Sequence, residues 1–181
     1  MLKGFKKDLI DMIKLFLPAI MIAWVITTFF IANAVVPSGS MEQTIMTGSR
    51  VIGNRLAYSF NKEPERGDII IFKYPDNEDL YFVKRLIGLP GDIVEIVPGE
   101  ESGYVKVNGE RINEPYLNEA MLVEKYQKFE VPEDSYFFLG DNRNHSNDAR
   151  YWENKYVKRN KLVAKVIFQY WKGFKYFGGT K

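Results

Sequence analysis

The run from Leu15 to Val36 constrains this chain more than anything else in it. Its 22 residues carry no charge, and only Pro18, Thr27, Thr28 and Asn33 are not apolar. At about 1.5 Å per residue, a helix of that length reaches roughly 33 Å, enough to cross a hydrocarbon layer of about 30 Å. A core helix of a soluble protein rarely keeps so long a stretch uncharged, so the run predicts a transmembrane anchor over residues 15–36. The anchor divides the chain into an N-terminal segment, 1–14, and a domain, 37–181. Lys3, Lys6, Lys7 and Lys14 precede it, opposed by Asp8 and Asp11, and no basic residue follows until Arg50. The positive-inside bias then places the N-terminus in the cytoplasm and residues 37–181 on the extracytoplasmic side of the cell membrane. Ala32-Asn33-Ala34 raises a rival, a cleaved secretory signal. The apolar stretch of such signals is about 7–15 residues, and this one is longer.

Beyond residue 36 the pattern changes to short segments rich in β-branched and aromatic residues, separated by turn residues. Asp68–Phe72, Leu80–Ile87, Ile93–Val97, Tyr104–Val107, Tyr136–Leu139 and Leu162–Trp171 predict strands. Asn108-Gly109 is a two-residue hairpin signal, and Asn113–Tyr126 predicts a helical turn. The fold class is therefore mostly β: an antiparallel β domain behind one N-terminal transmembrane helix. The chain has no Cys and a single His, His145. That excludes a disulfide framework, a structural zinc set and a thiol nucleophile. The net charge of +2 conceals an asymmetry, because residues 155–181 hold eight Lys/Arg and no acid.

Chemistry must then come from Ser, Thr, Lys, Asp and Glu. Pro37-Ser38-Gly39-Ser40-Met41 follows the apolar run directly. Four extended residues reach at most about 14 Å, which keeps Ser40 near the outer membrane surface. Two hydroxyls with Gly between them and Pro ahead suit a nucleophile beside an oxyanion donor; the plain alternative is a polar turn. Lys84 stands inside the apolar strand LYFVKRLI and by alternation shares a face with Leu80, Phe82 and Leu86, with Arg85 on the other face. Burial disfavours its ammonium form and makes it a usable general base; the alternative is a lysine that snorkels or is paired. Gly140–Arg150 is dense in hydrogen-bonding groups, as befits either a polar network supporting a site or a solvated turn. Its Asp141 and Asp148 lack the spacing of a calcium loop, so no metal site is assigned.

Together these segments resemble one family, the type I signal peptidases, membrane-anchored serine proteases of the Gram-positive-like form with a Ser/Lys dyad. PSGSMEQT (37–44), RGDII (66–70), KRLIGLPGD (84–92) and GDNRNHSNDAR (140–150) stand in the family's order. The resemblance implies Ser40 as nucleophile and Lys84 as general base. Ser38, through its hydroxyl, and Ser40, through its backbone N–H, would form the oxyanion hole. Ser146 would orient the Lys84 amine, with Asp148, Arg150 and Arg85 as ionic support behind it. Met41, Ile45, Phe82 and Val83 would line a pocket for small residues. Three positions depart from the family pattern: Gln43 stands where Pro is usual, Asn144-His145 where Asp-Asn is usual, and Ala149 where Ser is usual.

The resemblance further implies removal of signal peptides from secretory preproteins through an acyl-enzyme, cutting after an Ala-x-Ala type site, without a cofactor. The expected partners are those signal peptides and the lipid bilayer, with no nucleic acid, and the chain is expected to be a monomer. Two other schemes are weighed. Ser40 with His145 and Asp141 or Asp148 would leave the Lys84 strand unexplained, and a catalytically silent, membrane-anchored β module binding peptides or partner proteins would have no need of both Ser40 and Lys84. Lys172, Lys175 and Lys181, set among Trp171, Phe174, Tyr176 and Phe177, fit either anionic headgroups or a final strand with a solvated tail.

Overall fold

The computed structural model describes residues 2–59 and 62–178. Helix α1, Leu2–Val25, continues through a wider π-helical turn, Ile26–Phe30. The window Ile10–Phe30 is long and apolar enough to cross a membrane, and none of it is buried against the rest of the chain. Pro18 lies inside the helix, as transmembrane helices tolerate, and Thr27 Oγ1 returns a hydrogen bond of 2.8 Å to the Ala23 carbonyl.

The helix does not occupy the whole of residues 15–36. It starts earlier, taking in the lysine-rich segment, and ends at Phe30. Strand β1, Ile31–Val36, pairs antiparallel with β2, Ser49–Asn54, from Ile31 opposite Asn54 to Val36 opposite Ser49. Ala32 and Val36 face inward and are buried while Val35 is exposed. Hydropathy cannot see this boundary, because a buried strand and a membrane helix are both apolar. Its partner β2, not its composition, makes Ile31–Val36 a strand. Ala32-Asn33-Ala34 thus sits within a paired strand rather than in an open linker.

Eight further strands follow in the order β3 Ile69–Tyr74, β4 Asn77–Gly88, β5 Ile93–Val97, β6 Tyr104–Val107, β7 Glu110–Arg111, β8 Gln127–Glu130, β9 Ser135–Leu139 and β10 Val157–Lys158, and then β11 Leu162–Gln169 and β12 Lys175–Tyr176 complete the domain. The large sheet runs β1-β2-β11-β3-β4-β9-β10 with β12 on β11, and a smaller sheet runs β7-β6-β5-β8. Every pairing is antiparallel. The mostly β expectation therefore holds, and β5 and β6 have the expected ends. Asn108 and Gly109 take φ of 53° and 85°, the left-handed pair that a two-residue hairpin requires. No helix forms between Asn113 and Tyr126; the segment is irregular, with one hydrogen-bonded turn, Leu117 N to the Glu114 carbonyl at 3.2 Å, and a bridge from Met121 to Gly103.

Strand β3 explains its unbroken apolar run by being buried on both faces. Ile70 and Phe72 join one core with Leu86, Phe138 and Trp152. Ile69 and Ile71 join the other with Met41, Ile45, Val51, Ala164 and Val166. The start of β4 does not follow the expected alternation, since Leu80 and Tyr81 are both exposed and burial begins beyond them. Nor is the C-terminal stretch merely a solvated tail. Phe177 is buried in the second core, while Trp171, Phe174 and Tyr176 are exposed.

Candidate active site

Ser40 occupies a short 3₁₀ turn, Gly39–Met41, immediately after β1. The turn is tied off by Glu42 N donating to the Gly39 carbonyl at 3.0 Å and by Ile45 N donating to the Met41 carbonyl at 2.7 Å. Met41 and Ile45 are fully buried in the second core, so apolar packing holds the turn from below. Gln43 has a φ of 73°, an angle closed to proline. The loop after Ser40 thus takes a course that a proline at this position could not follow. From the C-terminal end, Lys175 Nζ reaches the carbonyls of Thr44 at 3.3 Å and Gln43 at 3.4 Å.

Strand β4 brings Lys84 to this turn. Its Nζ donates to Ser40 Oγ at 2.5 Å, and Ser38 Oγ lies 3.2 Å from Ser40 Oγ. Lys84 is 3% exposed and has no carboxylate in ion-pair contact among the described residues. Burial lowers its pKa from the usual lysine value to about 8, while the more distant charges of Asp148 and Asp141 oppose that shift. The Phe82 ring, 5.2 Å away, covers one side of the amine. A lysine kept dry and without a counter-ion is one that can surrender its proton near neutral pH.

The Gly140–Arg150 loop closes over the pair. Asn142 N donates to the Ser40 carbonyl at 3.0 Å, and Asn142 Nδ2 donates to the Gly39 carbonyl at 2.9 Å. Gly140 is what permits this approach: a Cβ there would lie 2.5 Å from the Ser40 carbonyl oxygen and 2.1 Å from Ser146 Oγ. Ser146 is buried beside the site, but its hydroxyl makes no hydrogen bond, to Lys84 or to any other group among the described residues. The expected Ser146–Lys84 contact is therefore absent from this arrangement, in which the hydroxyl lies against Gly140.

The ionic support divides in two rather than forming one cluster. Arg150 grips Asp148 through Nε at 2.8 Å and Nη2 at 2.9 Å, and Asp148 accepts the Gly140 N–H at 3.0 Å. Arg85 is instead forked onto Asp141, at 2.8 and 2.6 Å. It also donates to the Gly67 carbonyl at 2.8 Å and stacks 3.8 Å over Tyr116. A third fork, Arg143 to Glu114 at 2.9 and 2.5 Å, is equally buried and has no counterpart in the sequence reading. Density of Arg and Asp in the loop was visible, but the pairing was not.

The four expected pocket residues also separate. Met41, Ile45 and Val83 converge on the second core, while Phe82 turns the other way, stacking 4.3 Å from Tyr74 beside Trp152. Neighbours on a strand face opposite sides, so Phe82 and Val83 share no wall. His145 is exposed at the loop tip, and the carboxylates that would orient it, Asp141 and Asp148, are already held by Arg85 and Arg150. Asn142 is the residue that sequence reasoning missed, because an Asn in a polar loop carries no signal of its partner.

Comparison with known proteins finds a family model and several relatives. The family described as signal peptidase, peptidase S26, matches residues 9–171. A probable signal peptidase I-2 of Synechocystis sp. is 37% identical over 163 residues, covering 87% of this chain and 71% of its own. Signal peptidase I P of Bacillus subtilis subsp. natto is 34% identical over 157 residues, 82% of each chain. A solved signal peptidase I structure from Enterococcus faecalis V583 is 36% identical and covers 57% of this chain and 97% of its own, with a TM-score of 0.45. Matched from residue 9 to residue 171, the chain belongs to the signal peptidase family, peptidase S26.

Proposed function

We propose that this member of the signal peptidase family cuts signal peptides from secretory preproteins with Ser40 as nucleophile and Lys84 as general base. The observation that carries the reading is the 2.5 Å contact between Lys84 Nζ and Ser40 Oγ in a site where the lysine is buried and meets no carboxylate among the described residues. Neutral Lys84 takes the Ser40 proton as the oxygen attacks the scissile carbonyl. The oxyanion is met by the Ser38 hydroxyl and the Ser40 N–H. Lys84 then passes its proton to the leaving amine, leaving an acyl-enzyme, and activates the water that hydrolyses it. None of these steps calls on a cofactor. Ser146, Asp148, Arg150 and Arg85 support the site through the loop rather than through the reacting atoms.

Small side chains at the first and third positions before the cut, the Ala-x-Ala type, suit walls made of buried Met41 and Ile45 with half-buried Val83 beside them. The exposed apolar helix anchors the chain in the cell membrane, with the N-terminus cytoplasmic and the β domain extracytoplasmic. Ser40 then stands ten residues beyond the helix end at Phe30, where signal peptides leave the bilayer. Val35, Arg50 and Trp171 line one shallow depression beside β1, a surface that fits the headgroup layer. The working unit is a monomer.

Membranes carrying the wild-type chain are expected to process an Ala-x-Ala preprotein at that site, and membranes carrying Ser40→Ala or Lys84→Ala to leave it whole. A wild type that is folded and inserted but inert would favour the silent peptide-binding module. Cutting by Lys84→Ala would reopen the His145 scheme.

A further inference from the structure

We infer that Asn142 is a positioning residue for the oxyanion hole, fixing the direction of the Ser40 N–H. The inference rests on the Ser40 amide serving as an oxyanion donor. In a trans peptide the carbonyl and the following N–H lie in one plane and point in opposite directions. The Gly39 carbonyl and the Ser40 N–H share such a plane. The carbonyl end is held twice, by Asn142 Nδ2 at 2.9 Å and by Glu42 N at 3.0 Å, which occupies both lone pairs. Rotation of that plane would break both bonds, so the Ser40 N–H stays aimed away from Asn142.

The next peptide plane is held by the same residue. The Ser40 carbonyl accepts the Asn142 backbone N–H at 3.0 Å. Asn142 therefore grips the carbonyls on both sides of the nucleophile, one with its side chain and one with its main chain. Glycine at 140 makes the approach possible, since a Cβ there would press within 2.5 Å of the Ser40 carbonyl oxygen. The loop's polarity is thus spent in part on the nucleophile's backbone, apart from the ion pairs behind it. Truncating the side chain leaves the Gly39–Ser40 plane with the Glu42 bond alone and the next plane held as before, so the N–H is aimed less firmly while the Ser40–Lys84 contact survives.

The test compares wild type, Asn142→Ala and Asn142→Asp as full-length protein in detergent. It measures kcat and KM on a peptide substrate, the pH profile, and affinity for a peptide aldehyde, which forms a tetrahedral adduct with serine, against an uncleavable peptide of the same sequence. Removing an oxyanion donor outright costs about 10²–10³ in kcat, so a misaimed one is expected to cost about 10–100-fold. KM should stay within about twofold, aldehyde affinity should fall in parallel with kcat, and the pH midpoint should not move. Asn142→Asp, with a carboxylate oxygen facing the Gly39 carbonyl, should be at least as impaired. Unchanged kcat in Asn142→Ala, a rise in KM alone, or a shifted pH midpoint would each overturn the inference. If Asn142→Ala does not fold, Asn142→Ser, a shorter donor, is judged on the same readouts. Ser40→Ala run alongside separates the two failures: activity there would defeat the serine mechanism itself, whereas a dead Ser40→Ala beside a fully active Asn142→Ala would defeat only the role of Asn142.

Discussion

Lys84 and Arg85 are consecutive cations on β4, both almost wholly buried, and they are treated in opposite ways. Arg85 has a forked carboxylate at 2.8 and 2.6 Å, a carbonyl and an aromatic face. Lys84 has a serine hydroxyl and an aromatic ring, with no ion pair among the described residues. The guanidinium keeps its charge in any setting, so burial obliges the fold to neutralise it. The amine can lose its charge instead, and burial with no close counter-ion lowers its pKa. One cation fastens the Gly140–Arg150 loop to the sheet; the other is left free to move a proton. Burial alone distinguishes nothing here, and the partner decides between scaffold and chemistry.

The comparison can be broken most directly at Lys84. Lys84→Ala and Lys84→Arg are both expected to lose activity by on the order of 10⁴-fold, with circular dichroism unchanged; an active Lys84→Arg enzyme would contradict the free-base role. Next come two opposed stability changes. Arg85→Met leaves Asp141 buried and unpaired and should cost about 3–5 kcal/mol. Lys84→Met removes the cost of a buried ammonium and should gain about 1–3 kcal/mol at pH 7. Urea unfolding of the two variants gives the signs, and equal destabilisation by both would erase the distinction.

The pH profile sharpens the same point with a smaller effect. Because burial holds the Lys84 pKa at about 8, the neutral base gains population as pH rises. The rate constant kcat/KM should therefore climb up to about tenfold per unit below that midpoint and level off above it. A plateau already reached at pH 6 would mean a different base. The smallest effect is expected at His145, whose imidazole is exposed and whose would-be carboxylate partners are occupied; His145→Ala should hold kcat/KM within about twofold.

Ser40, Lys84 and the polar loop could be found in the sequence because each stands out from its neighbours: a serine pair beside an apolar run, a lysine inside an apolar strand, a dense polar stretch after a strand. The partners of these groups could not. Ser40 and Lys84 are 44 residues apart, Arg85 and Asp141 are 56 apart, and nothing local encodes which carboxylate an arginine will meet. The end of the helix is not legible for a similar reason, because β2 lies well downstream of the residues it turns into a strand.

Length, hydropathy and alternation are properties of consecutive residues, and by themselves they determined that this chain has an apolar helix ahead of a mostly antiparallel β domain and a lysine set inside one apolar strand. Only the tertiary structure decided that Ile31–Val36 leaves the helix for the sheet, that Arg85 pairs with Asp141 rather than Asp148, and that Asn142 holds the backbone on both sides of Ser40. The physical reason is that hydrogen bonds and ion pairs act over about 3 Å, so their partners are chosen by the packing that brings distant segments together.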